Sequence, residues 1–149
     1  MEALLSVWGY LPEAIVTYLG DPMVWVMLLA GTALGYFVGV MPGLGPTMGM
    51  ALSLSIIYTL PVTQGMALLI GIFVSAVGSG GITASLINIP GTAAAAATCM
   101  DGYALVKQGR GREACGYSVF ASVIGTLAAT LFVFIIQPFV TTIALKFGD

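Results

Sequence analysis

Apolar residues fill this chain in long runs, and polar side chains arrive in short punctuations that also carry glycine and proline. The run from Met23 to Met41 holds no charged residue. As a helix it is about 28 Å long, close to the ~30 Å hydrocarbon thickness of a bilayer, so it is predicted to be a complete span. Gly31, Gly35 and Gly39 recur four apart on one face and let another backbone approach closely. Packing within the subunit is the first reading of that stripe, and a dimer seam is the second. Pro42-Gly43-Leu44-Gly45-Pro46-Thr47 then breaks the helix. Thr47 is placed to N-cap a restarting helix, MGMALSLSIIYTL, that stops at Pro61. At roughly 21 Å this helix is too short to cross alone, which predicts a half-span starting at membrane depth. A surface loop between two complete spans is the alternative.

Gln64 to Val77 is a further apolar segment leading into a glycine cluster, Gly78, Gly80 and Gly81, and Ile82 to Ile89 is again too short to span. Pro90-Gly91 makes a second break, after which Thr92 is placed to cap the helix-forming run Ala93–Ala97. That helix passes Asp101-Gly102-Tyr103 and ends among Lys107, Arg110 and Arg112, whose charge marks the cytoplasmic side. A last span runs from about Tyr117 to Gln137, with Ser118, Ser122, Gly125 and Ala129 as a small-residue stripe, and Pro138 kinks or ends it. Ahead of all these, residues 3–19 are weakly amphipathic, with Leu4, Trp8, Leu11, Ile15 and Leu19 at helical spacing. Pro12 opens a second short helix there, and Trp8, Tyr10 and Tyr18 favour the depth of the membrane interface. The predicted organisation is a single membrane domain over residues 1–149, with an interfacial segment 1–21 and transmembrane segments 22–149. The predicted fold class is an all-α, multi-span membrane protein with two Pro-Gly-broken helices, re-entrant or discontinuous.

Composition sharpens this picture. The chain is 59% hydrophobic and 7% charged, against about 25% charged residues in a soluble domain. Pro22 through Met100 carry no charge, material for three or four spans at roughly 20 residues each. The four basic residues form no nucleic-acid footprint. Histidine is absent, which removes a His-based triad and a conventional His-ligated zinc site. Cys99 and Cys115 match no metal spacing and read as buried small hydrophobes. The N-terminus has Glu2 and Glu13 and no basic region, unlike a cleaved signal peptide.

The candidate chemistry lies at the two breaks. The first amide groups of each restarting helix lack an internal partner, and the aligned peptide dipoles add about half a positive charge there. Two such termini facing one cavity would hold a carboxylate without a buried arginine, which costs ~2.5–3.5 kcal/mol or more in a membrane. The candidate substrate-binding residues are therefore Gly43, Leu44, Gly45, Pro46, Thr47, Asn88, Pro90, Gly91 and Thr92. Freed carbonyls with Ser79, Thr83, Ser85 and Asn88 are hard oxygen donors suited to Na⁺. Asp101 is either a proton or cation carrier facing the cavity or a surface residue pairing with Lys107 or Arg110. No cofactor is expected beyond a coupling ion, Na⁺ or H⁺.

Three stretches, Gly35–Thr47 (GYFVGVMPGLGPT), Gly78–Gly91 (GSGGITASLINIPG) and Thr98–Gly109 (TCMDGYALVKQG), resemble the large membrane subunit of the tripartite tricarboxylate transporters, the TctA family. The likeness covers the chain from about Asp21 onward. It implies a permease for citrate-like or other small carboxylates, driven by a cation gradient and placed in the bacterial inner membrane. It also implies a small membrane partner subunit and a periplasmic solute-binding protein. Family members are several times longer, so the chain is a fragment, one half of a split permease, or a subunit that pairs with a second copy of itself. It would supply one repeat of a two-repeat transporter. Where the family usually has an aromatic-Gly-Gly-Ser run, this chain has Gly78-Ser79-Gly80-Gly81. A non-transporting membrane scaffold packing through its glycine stripes is the alternative function. An enzyme is not expected, because Ser79 has no His or basic partner to activate it.

Overall fold

The computed structural model describes residue 9 and residues 11–146. Most of the predicted interfacial segment before Leu11, including Leu4, Trp8 and Tyr10, lies outside the described residues. The described chain is helical, in the order α1 (Leu11–Gly20), α2 (Pro22–Val40), α3 (Gly45–Ile57), α4 (Val62–Ile87), a 3₁₀ turn η1 (Ala93–Ala95), α5 (Ala96–Lys107) and α6 (Gly111–Lys146). Among the described residues, three helices are long and apolar enough to cross a membrane: Pro22–Val40, Val62–Ile87 and, within α6, Gly111–Gln137. The chain is a multi-pass, all-α membrane protein. Its residues fall into two compact units, Asp21–Ser122 and the two ends of the chain.

Unit Asp21–Ser122 is built along α4. Asp21 caps α2: its side chain accepts the Met23 amide at 2.9 Å, and Pro22 follows at the first helical position, where its missing N–H costs nothing. Gln64 donates to the other Asp21 carboxylate oxygen at 3.2 Å, tying the start of α2 to the start of α4. The glycine stripe of α2 then lies on α4 in four-residue steps. A Cβ on Gly31 would strike Leu68, one on Gly35 Ile72, and one on Gly39 Ala76. Both numberings rise together, so the two helices run parallel. Leu68, Ile72 and Ala76 are almost completely buried in the seam. The stripe serves packing inside the chain, its first reading.

α3, at about 20 Å, is the predicted short helix, and it runs back along α4: its Gly49 lies against Ile72 and Val38. The structure corrects its start. The helix begins at Gly45 with Pro46 in the first turn, and the cap position belongs to Leu44, which makes no side-chain cap bond. Thr47 is an exposed first-turn residue. The glycine cluster is corrected as well: Gly78, Gly80 and Gly81 lie inside one unbroken 26-residue helix, α4, which also absorbs Ile82–Ile87. Gly80 and Gly81 are seats for neighbouring segments, as described below, whereas Gly78 has nothing against it.

Further corrections concern the last helices. α6 begins at Gly111 and continues past Pro138 to Lys146. A proline removes one backbone bond, and the apolar turns on either side keep the helix going. Ser118 sits against Gly81, but Gly125 has nothing within 4 Å of a built Cβ, so the predicted stripe is used only at its beginning. Cys99 and Cys115 are half-buried rather than buried. Asp101 is exposed, as its surface reading expects, but pairs with neither predicted cation. Arg110 makes a two-pronged bond to Glu113, one turn away, with Nε donating at 3.1 Å, and the Lys107 ammonium stands 4.8 Å over the Tyr103 ring.

The other unit is described by itself. In α1, Pro12 occupies the first turn, as the sequence predicts, and residues 12–20 are exposed. The stretch of α6 beyond Ser122 presents Leu127, Leu131, Phe132 and Ile135 outward, the side chains a lipid-facing helix carries.

Candidate functional site

The two interruptions differ in construction. The first spans Met41–Leu44, between α2 and α3. Its amides are bonded locally, Met41 to the Val38 carbonyl at 3.2 Å and Leu44 to the Met41 carbonyl at 3.3 Å. Gly43 and Gly45 have φ of 92° and 62°, a region open to glycine at no steric cost. A Cβ on either would meet nothing. Residues 41–43 and 47 are exposed, so this turn faces away from the described residues around it.

The second interruption is re-entrant. α4 ends at Ile87, and Asn88 takes the left-handed conformation, φ 57°, that turns the chain. Asn88, Ile89 and Pro90 are exposed, whereas Gly91 and Thr92 are buried. By Thr92 the chain has returned to Gly80: a Cβ on Gly80 would lie 2.9 Å from Thr92 Oγ1. Gly80 is seven residues before the end of α4, so the chain has doubled back about 10 Å. It then goes forward again as η1 and α5, where Gly102 packs on Ser85.

This return places Gly91 in a specific seat. The stripe of α2 stops at Gly39, and the next position along the same α4 face is Gly80. Gly91 fills it, with its amide donating to the Gly80 carbonyl at 3.4 Å. A Cβ on Gly91 would meet the Gly39 carbonyl, Gly80 Cα at 2.9 Å and Thr83 Oγ1 at 2.9 Å. The second interruption therefore meets the last turn of α2, Gly91 lying against Gly39.

A row of hydroxyls flanks the seam. Ser75 faces Gly35, Ser79 faces Gly39 and Thr83 faces Gly91. Each donates to a carbonyl of its own helix: Ser75 to Gly71, Ser79 to Ala76 and Thr83 to Gly80, at 2.7, 3.3 and 3.1 Å. Ser85 donates to the Gly81 carbonyl at 2.9 Å and faces Gly102 instead. The predicted cation donors are thus divided: Ser79 and Thr83 line the seam, Ser85 lies under α5, and Asn88 is outside. Thr92 holds the cap position of η1, yet its side chain makes no cap bond. It is 7% exposed, and Oγ1 is buried without a hydrogen-bond partner. Buried hydroxyls are nearly always partnered, and this one is the exception among the described residues.

Beside the re-entrant segment lies a cavity of about 490 Å³. Val77 and Gly81 of α4 form its floor, with Ala94 and Ala95 of the restart at one end. α5 contributes Thr98, Asp101 and Leu105, and α6 contributes Tyr117, Ser118 and Ser122. None of the predicted substrate residues Gly43–Thr47, Asn88, Pro90, Gly91 and Thr92 lines it, and neither do Ser79, Thr83 and Ser85. Sequence reasoning missed Gly80 as the seat of the break, and missed Thr98, which shares a helix face with Asp101 at the i, i+3 spacing. No cluster of three or more His, Cys, Asp or Glu residues capable of holding a metal occurs among the described residues.

The sequence profile of the tripartite tricarboxylate transporter TctA family matches residues 25–149. An Agrobacterium vitis protein, described as an uncharacterized 52.8 kDa protein in the TAR-I ttuC' 3' region, is 38% identical over 123 residues, covering 83% of this chain. The chain spans about a quarter (24%) of that relative's length. No solved structure matches it.

Proposed function

The chain belongs to the tripartite tricarboxylate transporter TctA family, and from that premise we propose that it forms part of a secondary permease importing tricarboxylates or other small carboxylates on a cation gradient. It is a membrane transporter component. In the proposed reading it works in the bacterial inner membrane, with a small membrane subunit and a periplasmic solute-binding protein. A second half of the permease, or a second copy of the chain, completes the cavity.

The observation that carries the reading is the contact of the second Pro-Gly interruption with the last turn of α2 and with α4, at Gly39, Gly80 and Gly91. The second restart then begins beside Gly80, about 10 Å inside the end of α4, in a stretch without basic side chains. Backbone amides and an unpartnered Thr92 hydroxyl supply polarity that an anion can use. Gly43–Thr47, Asn88, Pro90, Gly91 and Thr92 are the proposed substrate residues, and Na⁺ or H⁺ the proposed coupling ion. The scaffold alternative gains nothing from the α2 stripe, which is spent inside the chain.

The test is uptake of radiolabelled citrate by cells producing the chain with the rest of its permease and its binding protein. Gly91→Val is expected to abolish uptake while membrane insertion persists. Gly125→Val, at a position with free space, should leave uptake intact. Equal uptake by both variants would remove the interruptions from the transport pathway.

A further inference from the structure

The re-entrant restart is seated on α4 by shape, and one of its own groups works against the seat. Gly91 and Thr92 are buried, while residues 88–90 before them and Ala93 and Ala94 after them are exposed. Gly91 lies so close to the Gly39 carbonyl, Gly80 Cα and Thr83 Oγ1 that no Cβ fits there. Hydrogen bonding is sparse by comparison. Among the described residues, one backbone bond ties Gly91 and Thr92 to α4, from the Gly91 amide to the Gly80 carbonyl, and at 3.4 Å it is long. The Thr92 backbone has the extended geometry of a helix cap, φ −135° and ψ 157°, yet its hydroxyl caps nothing. Oγ1 lies against Gly80 instead, without a partner among the described residues and with too little accessible surface for a water to reach it.

A buried hydroxyl with no partner forfeits the bond it makes in water, and the seated position bears that cost while a lifted one does not. Lifting releases little else. The Gly80 carbonyl keeps the Thr83 hydroxyl as a donor at 3.1 Å, and the bared Gly91 amide meets water. Opposing the lift is the close packing at Gly39 and Gly80. The unmet hydroxyl therefore narrows the gap that packing opens between the two positions. We infer that residues 91–95 form a strap with two positions, seated on α4 as in this structure and lifted from it, and that the Thr92 hydroxyl sets the balance by favouring the lifted one. What the seated strap covers gives the device a use. The Gly39 carbonyl and the Thr83 hydroxyl lie directly beneath Gly91, and Thr83 is buried. Both are hard oxygen donors, and lifting uncovers them together with the Thr92 hydroxyl. Its use as a gate over these donors rests on the transport reading above, whereas the two positions themselves do not.

The experiment reads how often the strap lifts, on the full chain in micelles with Cys99 and Cys115 replaced by alanine. Thr83→Cys places a thiol beneath Gly91, where a maleimide reaches it when the strap lifts. Adding Thr92→Val, which keeps the shape and removes the hydroxyl, is expected to slow labelling of that thiol roughly tenfold. Adding Thr92→Ser, which keeps the hydroxyl, should leave labelling at least as fast as in the Thr83→Cys chain. Ala67→Cys, buried near the start of α4, is the reference, and its labelling should not respond to either change at Thr92. Unchanged labelling of Thr83→Cys on adding Thr92→Val overturns the strap. Equal slowing at both thiols overturns it too, because the opening is then a loosening of the whole chain. If Thr83→Cys fails to fold, amide hydrogen exchange at Gly91 and Thr92 reads the same opening, in the unaltered chain and in Thr92→Val, against the same criteria. None of these rates needs a substrate, so a failure of citrate uptake, which would remove the transport reading and the gate's role, is distinguishable from a failure of the strap.

Discussion

The seam between α2 and α4 gives the sharpest test of the fold. A methyl group added at Gly35 would lie 2.7 Å from Ile72 Cα, and one at Gly39 would lie 2.6 Å from Ala76 Cα. The optimum for such atoms is ~3.5–4.0 Å, so each falls about 1 Å short. The obstacle is backbone of a long helix, which cannot rotate away. α2 must lift by about that distance, thinning contacts along the whole stripe, and overpacking of this kind costs ~1–3 kcal/mol. Opposing it is the helix preference of Ala over Gly, about 1 kcal/mol. The steric term wins at Gly35 and Gly39. At Gly125, where a methyl meets nothing, only the preference remains and the sign reverses. Unfolding of the full chain in mixed micelles by graded denaturing detergent reads the difference. Gly35→Ala and Gly39→Ala are expected to unfold earlier than the parent, and Gly125→Ala at the same point or later. If all three unfold together, the close parallel packing of α2 on α4 is wrong.

The remaining expectations use the same measurement. Thr92→Val replaces an unpartnered buried hydroxyl by a methyl of similar shape, and should stabilise the chain by about 1 kcal/mol while lowering citrate uptake; a gain in stability with uptake untouched would leave the hydroxyl without a ligand role. Asp21→Ala removes the α2 cap and the bond from Gln64, and should cost about 1 kcal/mol. Gln64→Leu should cost less, since the cap survives, and an order opposite to this would refute the capping account. Arg110→Ala should leave the unfolding point unmoved, because its pair with Glu113 stands in solvent and is screened there.

How much of this was legible follows from what each residue type signals. The bounds of α2 were readable because Asp21-Pro22 and Pro42-Gly43 punctuate both ends with residues that leave the chain little choice. Its stripe was readable as packing, since a four-residue glycine period has few other uses in a membrane helix. The same logic misled at Gly78, Gly80 and Gly81. Glycine breaks an isolated helix but is welcome wherever another segment must come close. Three such approaches converge on α4, from Gly39 onto Ser79, Thr92 onto Gly80, and Ser118 onto Gly81. Nothing local distinguishes the two meanings, because the partner segments lie up to forty residues away on either side. Thr47 misled differently: Pro46 next to it fits the first turn of a helix, which moves the start back to Gly45. Asp101 was left with two readings, and its predicted partner Arg110 found Glu113 one helical turn away instead.

The contrast between the interruptions bears on which of them can move. The first is a turn that bonds its own amides, Met41 to Val38 and Leu44 to Met41, so it keeps those bonds wherever α3 goes. The second leans on α4. Gly91 borrows the Gly80 carbonyl, which already accepts from Thr83, and the 3.4 Å separation is long for such a bond. Displacing the restart from α4 breaks that contact and bares the amide, yet the Gly80 carbonyl keeps its other donor, so the loss falls on one group only. Nor does the Thr92 hydroxyl resist, having no bond to lose. Among the described residues this segment is held by shape at Gly39 and Gly80 and by few hydrogen bonds, and in the proposed reading its position is what a bound ion or carboxylate biases.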